Sequence, residues 1–137
     1  MKVIYTKNDP DLNGYIHVGN GQMLNLLVED NEADEIIVEN MLSQVPLSEL
    51  PAYYHGLLSK LRVGGKLIIY YLDFDLLSMQ YEKGHLTIKE VSELVFTENV
   101  QCLINESVIT SLIGDTLKIE KKDYNSSYLG IITGVRE

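Results

Sequence analysis

A single cysteine, Cys102, excludes an internal disulfide and sets the expectation of a reducing, cytoplasmic setting. Without a neighbouring thiolate-stabilising pattern, it reads as a small buried apolar side chain. Long hydrophobic runs are missing: none approaches the roughly 20 residues that span a bilayer, so no membrane helix is expected. The opening Met1-Lys2-Val3-Ile4-Tyr5 lacks the apolar segment and small-residue cleavage site of a secretory signal. Positive charge is scarce. Eleven Lys and Arg stand against twenty Asp and Glu, a net charge of −9, which disfavours nucleic acid as a partner because few cations are left to neutralise phosphates. His17 has no second His or Cys at ligand spacing, so no metal is expected, and the acidic run Glu29, Asp30, Glu32, Asp34, Glu35 reads as solvated surface. Internal repeats, low-complexity tracts and linkers are also absent, and 137 residues make one domain spanning 1–137.

What is present is organised around residues 47–72. Leu47, Leu50, Tyr53, Tyr54, Leu57, Leu58 and Leu61 recur at steps of three and four, the spacing of one apolar helix face. Ser48 is placed to cap this helix, Pro51 falls in its first turn, and Arg62 lies at the negative end of its dipole. Val63-Gly64-Gly65-Lys66 is expected to stop the helix through a positive-φ turn. Leu67 to Leu72 then runs without alternation, as a strand covered on both faces does.

Leu61-Arg62-Val63-Gly64-Gly65-Lys66-Leu67-Ile68-Ile69 resembles the turn that precedes the fifth strand of class I S-adenosylmethionine-dependent methyltransferases. Asp30 to Val38 resembles the stretch leading into that family's fourth strand, and Gly14-Tyr15-Ile16-His17-Val18 is similar to a Gly-Tyr-Ile-Asn-Val motif of small methyltransferase-like proteins. The resemblance covers residues 14–135. It implies a reduced Rossmann-like α/β domain: a mixed sheet of six or seven strands, mostly parallel with an antiparallel C-terminal strand and a reduced N-terminal half.

It also implies S-adenosyl-L-methionine as cofactor and methyl transfer to a small-molecule or saccharide-type acceptor. Ligands of open α/β sheets collect at the carboxyl ends of strands, which nominates Thr6, Asn8, Gly19, Asn20, Glu39 and Asn40 as cofactor-binding residues. Two family features are replaced. Thr6-Lys7-Asn8 stands where a Gly-x-Gly-like turn follows the first strand, and Gly19 stands where an acidic residue holds the ribose. Asn8-Asp9 also suits an ordinary Asx turn, and Gly19-Asn20-Gly21 a plain one. Glu39 is the candidate catalytic base; a hydrogen-bonded structural carboxylate is the competing reading. The alternative function is a degenerate, non-catalytic methyltransferase-fold protein acting as an assembly or regulatory module. A nicotinamide oxidoreductase is disfavoured because no Gly-x-Gly-x-x-Gly follows an early strand.

The remaining segments complete the plan. Met23 to Val28 reads as a shortened third strand. Asp73 can cap a helix through Gln80, and Thr87-Ile88-Lys89-Glu90 has capping-box spacing. These two helices form an insert whose Tyr81 and His85, with Tyr70 and Tyr71, are candidate lid or substrate contacts. Asn105 can cap a helix stopped by Gly114, and Leu117 to Glu120 and Tyr128 to Val135 form a terminal antiparallel pair. The crossovers at Thr6 to Asn13 and after Val18 are too short for full helices, so one sheet face should lack cover. A homodimer is expected to supply it.

Overall fold

The computed structural model describes residues 1–6, 14–18, 28–97, 100–124 and 128–137. Its strands are β1 (Lys2–Thr6), β2 (Tyr15–Val18), β3 (Ala33–Glu39), β4 (Leu61–Leu72), β5 (Lys118–Tyr124) and β6 (Leu129–Val135). Its helices are α1 (Leu50–Lys60), α2 (Phe74–Glu82), α3 (Ile88–Val95) and α4 (Glu106–Ile113). The strands form one sheet in the order β2-β1-β3-β4-β6-β5. β2, β1, β3 and β4 pair in parallel, whereas β6 runs antiparallel to both β4 and β5. That is the mixed, mostly parallel sheet expected from the sequence, with six strands among the described residues. The third-strand segment Met23–Leu27 lies outside the described residues, and Val28 is buried but not in a strand.

Local chemistry sets the helix ends. Asp73 accepts the Leu76 N–H at 3.1 Å, Asn105 accepts the Val108 N–H at 3.0 Å, and Thr87 and Glu90 form a reciprocal capping box. Gly114 ends α4 at φ 48°. The start of α1 departs from expectation. Leu47–Glu49 is a 3-10 turn that feeds directly into α1, and Ser48 makes no capping bond; the Leu50 N–H instead donates to the Leu47 carbonyl. At the far end, Arg62 pairs with Asp34 at 2.5 Å and leaves the last carbonyls to Arg136, whose guanidinium donates to the Leu58 and Leu61 oxygens and to Asn31 Oδ1.

The glycine pair does not stop α1. The helix ends at Lys60, and Leu61, extended at φ −81° and ψ 129°, already begins β4. Gly64 and Gly65 lie inside that strand, where its pairing with β3 slips. Ala33 faces Leu61 and Glu35 faces Lys66, a two-residue step on β3 against a five-residue step on β4. The excess forms a bulge bonded to the C-terminal segment: the Gly64 N–H donates to the Arg136 carbonyl at 2.6 Å, and the Arg136 N–H to the Gly65 carbonyl at 3.0 Å. Gly64 carries the positive φ, 82°. Gly65 is required for a different reason: a Cβ there would lie 2.8 Å from Leu61 Cδ1, 2.9 Å from the Arg62 oxygen and 3.0 Å from the Asp34 oxygen.

The two sheet faces differ. On one, Val3, Ile36, Val38, Leu67, Ile69 and Ile132 join Leu50, Tyr54 and Leu57 of α1 and Ile109 and Ile113 of α4 in the main core. On the other, Ile4, Ile37, Ile68 and Thr133 form a row in register across four strands, followed by Glu39, Tyr70 and Ile131. Ile4 is buried, but the other members of these two rows are only half-buried. β4 is therefore covered completely on one face and partly on the other, whereas its unbroken apolar run predicts cover on both. At the β2 edge of this second face, the Tyr15 hydroxyl donates to Glu35, and that bond, with burial, pushes the phenol pKa up to about 12.

Gly65→Val is expected to lower stability by about 1–3 kcal/mol, since backbone oxygens cannot yield to the new side chain. Gly64→Ala, with open space but a left-handed backbone, should cost about 1–2 kcal/mol. Urea midpoints measure both, and two unchanged midpoints would contradict the bulge.

Candidate functional site

β3 ends at Glu39, paired with Tyr70 of β4 and Thr6 of β1. The chain then turns sharply at Asn40, whose φ of 56° is left-handed, a conformation that asparagine tolerates better than most residues. The Asn40 N–H donates to the Tyr70 carbonyl at 3.0 Å, and its own carbonyl accepts from Ser43 Oγ at 3.3 Å. Glu39 and Asn40 thus sit on a braced step at the carboxyl end of the parallel sheet.

Two cavities meet at this step. The larger, about 410 Å³, runs from Glu39 and Asn40 past Leu72 and Phe74 to Leu94 and Val95 of α3 and to the segment 100–104. The smaller, about 210 Å³, is lined by Glu39 and Asn40 together with Ile4, Ile37, Tyr70, Tyr71 and Leu129. Among the described residues, Glu39 is the one charged side chain lining either cavity. It is half-buried, and among the described residues its carboxylate has no hydrogen-bond or ion-pair partner. Among the described residues, none supplies the partner that a hydrogen-bonded structural carboxylate would need. A half-buried carboxylate without a partner among the described residues is a ready acceptor for a ligand donor or cation.

Segment 100–104 is fixed as a cavity wall by backbone bonds at both ends. Gln101 and Cys102 N–H groups donate to the Ser43 carbonyl at 2.8 and 3.2 Å. Phe74 N–H donates to the Ile104 carbonyl at 2.8 Å, and Asp73 and Ile104 form an isolated parallel bridge. Cys102 is buried and unpaired, its Sγ lies 3.7 Å from the Leu42 carbonyl, and burial raises its thiol pKa. That matches the small apolar side chain read from the sequence.

Of the residues nominated from the sequence, the structure brings Glu39 and Asn40 together at both cavities and places Thr6 opposite Glu39 in the sheet. Asn8, Gly19 and Asn20 lie outside the described residues. Tyr70 and Tyr71 line the smaller cavity, but Tyr81 and His85 line neither. Both are exposed, and His85 Nδ1 lies 2.7 Å from Gln80 Oε1 within their own helix end. The insert contributes Phe74, Leu94 and Val95 instead, apolar positions that helix periodicity marks but that carry no chemical signature.

No protein-family description and no curated protein matches the chain. Solved structures do. Magnesium protoporphyrin IX methyltransferase from Synechocystis, with bound S-adenosylhomocysteine, superposes with a TM-score of 0.58 at 19% identity over 90% of this chain and 51% of its own. An O-methyltransferase family 2 protein from Planctomyces limnophilus, in complex with apigenin, gives 0.56 at 21% over 90% of this chain and 35% of its own. A Haloferax volcanii protein solved with a methyltransferase activator gives 0.58 at 8% over 89% of this chain and 60% of its own. The chain has the Rossmann-like fold of class I S-adenosylmethionine-dependent methyltransferases, and it spans about a third to three fifths of the length of these relatives.

Proposed function

We propose that the protein binds S-adenosyl-L-methionine at the carboxyl ends of β1, β2 and β3 and transfers its methyl group to a small-molecule acceptor. The observation that carries this reading is the Glu39 carboxylate, without a partner among the described residues, on a braced turn between two cavities. The residues present suit the cofactor, because its sulfonium and ammonium groups are cations and Glu39 is the single charged group lining these cavities among the described residues. When bound, the cofactor supplies an electrophilic methyl group. Thr6, Glu39 and Asn40, with Asn8, Gly19 and Asn20, are the residues assigned to hold it. The chain's part in transfer is orientation: holding two reactants in line contributes without a metal or covalent intermediate, and Glu39 is the residue assigned to take the acceptor proton.

Titration calorimetry tests this. S-adenosylmethionine should bind with a dissociation constant at or below about 1 mM. Glu39→Gln should weaken it more than it weakens S-adenosylhomocysteine, which lacks the sulfonium charge. No heat with either ligand would favour the alternative, a methyltransferase-fold module that has lost its cofactor, a reading supported by Gly19 at the ribose position and by Thr6-Lys7-Asn8 in place of a glycine turn.

The same reading takes residues 1–137 as one functional unit in a cytoplasmic setting, the latter resting on the free, buried Cys102. We further assign it a homodimer through the sheet face of Ile37, Ile68, Tyr70 and Ile131, supported by the half-burial of that face. Keeping a few hundred Å² of apolar sheet in water forfeits several kcal/mol at about 25 cal/mol per Å². Two-fold pairing is the commonest way for identical chains to bury such a patch. Sedimentation equilibrium at micromolar concentration should show association above 15.5 kDa that Ile68→Lys abolishes. A concentration-independent 15.5 kDa species would contradict it.

A further inference from the structure

The larger cavity carries more information about its ligand than the fold does. Its walls are Leu72, Phe74, Leu94, Val95, Leu103 and Ile104, and among its described lining residues there is no Lys, Arg or His. The neutral hydrogen-bonding groups are Asn40, Ser43 and Gln44 next to Glu39 in the chain, with Thr97 and Tyr128 elsewhere in a lining that is otherwise apolar. An anionic ligand would sit there beside the Glu39 carboxylate with no counter-ion among the described residues, which is unfavourable. A saccharide fares poorly for a different reason: several hydroxyls would face aliphatic walls and lose their hydrogen bonds with water. A volume of about 410 Å³ is in the range of small-molecule sites.

We propose that this cavity binds a small, uncharged, largely apolar molecule carrying a hydroxyl at one end, with that hydroxyl donating to Glu39 and the apolar body lying between α3 and the segment 100–104. Naming this molecule the methyl acceptor rests on the function proposed above; its binding to the cavity does not. The assignment replaces the broader small-molecule or saccharide-type acceptor of the sequence reading with one chemical class. Glu39 selects against acids, and the leucine, phenylalanine and isoleucine walls select against polyols.

Equilibrium dialysis of the full chain with three probes tests it: 2-naphthol, 2-naphthoate and methyl glucoside. 2-Naphthol is expected to bind at least about tenfold more tightly than either of the others, a factor worth about 1.4 kcal/mol. Leu94→Trp and Leu103→Trp, which enlarge lining side chains on α3 and on the segment 100–104, should each reduce 2-naphthol binding about tenfold or more. Leu103 is partly exposed, so its variant is expected to keep the fold, with far-ultraviolet circular dichroism as the check. Glu39→Gln should raise 2-naphthoate binding and narrow the ratio between the two naphthalenes. Equal or tighter binding of 2-naphthoate or methyl glucoside overturns the proposal, as does full 2-naphthol binding by both folded tryptophan variants. S-adenosylhomocysteine binding on the same samples separates the two readings: 2-naphthol binding without it keeps the cavity assignment and removes the methyl-transfer reading, whereas nucleotide binding without 2-naphthol does the reverse.

Discussion

The parallel pairing of β3 with β4 is the constraint on which the rest depends. Beyond the glycine bulge the two strands run in strict register from Glu35 opposite Lys66 to Glu39 opposite Tyr70. A slip of one residue would send every side chain of β3 to the other face, exchanging Ile36 and Val38 in the core for Glu35 and Ile37 or for Ile37 and Glu39. The bulge makes that register reachable, because it absorbs the extra residues of β4 before the core pairs begin. Gly65, pressed against the Asp34 and Arg62 carbonyls, and Arg136, bonded to both bulge glycines and to the last carbonyls of α1, hold it in place.

From that register the site follows directly. With Glu39 opposite Tyr70, the next residue must turn, and the Asn40 N–H closes onto the Tyr70 carbonyl in a left-handed conformation. Strain of this kind persists only where the surroundings fix it. Here they do, through the Ser43 hydroxyl on the Asn40 carbonyl and the Gln101 and Cys102 amides on the Ser43 carbonyl. One chain of bonds therefore ties the end of β3 to the wall of the larger cavity.

Much of this was legible in the sequence because it is local chemistry. Asp73, Thr87 with Glu90, and Asn105 cap the helices they were expected to cap, since side-chain oxygens three residues before a free amide need no tertiary help. The place of Glu39 and Asn40 at the carboxyl end of β3 was legible from position alone, just after the apolar run Ile36 to Val38. The glycine pair was misread because a helix-stopping turn and a strand bulge ask for the same residues; the deciding contacts, Asp34 and Arg136, are distant in sequence. Ser48 failed as a cap because a 3-10 turn already supplied the Leu47 carbonyl. The larger cavity was hidden for a related reason: Phe74, Leu94 and Ile104 come from three segments and look like ordinary core residues until the sheet brings them together.

The central proposal is that Glu39 and Asn40 help hold S-adenosylmethionine, with the acceptor in the larger cavity beside them. Amide chemical-shift mapping with S-adenosylhomocysteine at about millimolar concentration tests it most directly. The account predicts shifts at Thr6, Glu39 and Asn40, with Leu94, Leu103 and Ile104 unmoved. Shifts confined to Leu94, Leu103 and Ile104, or none anywhere, would contradict it.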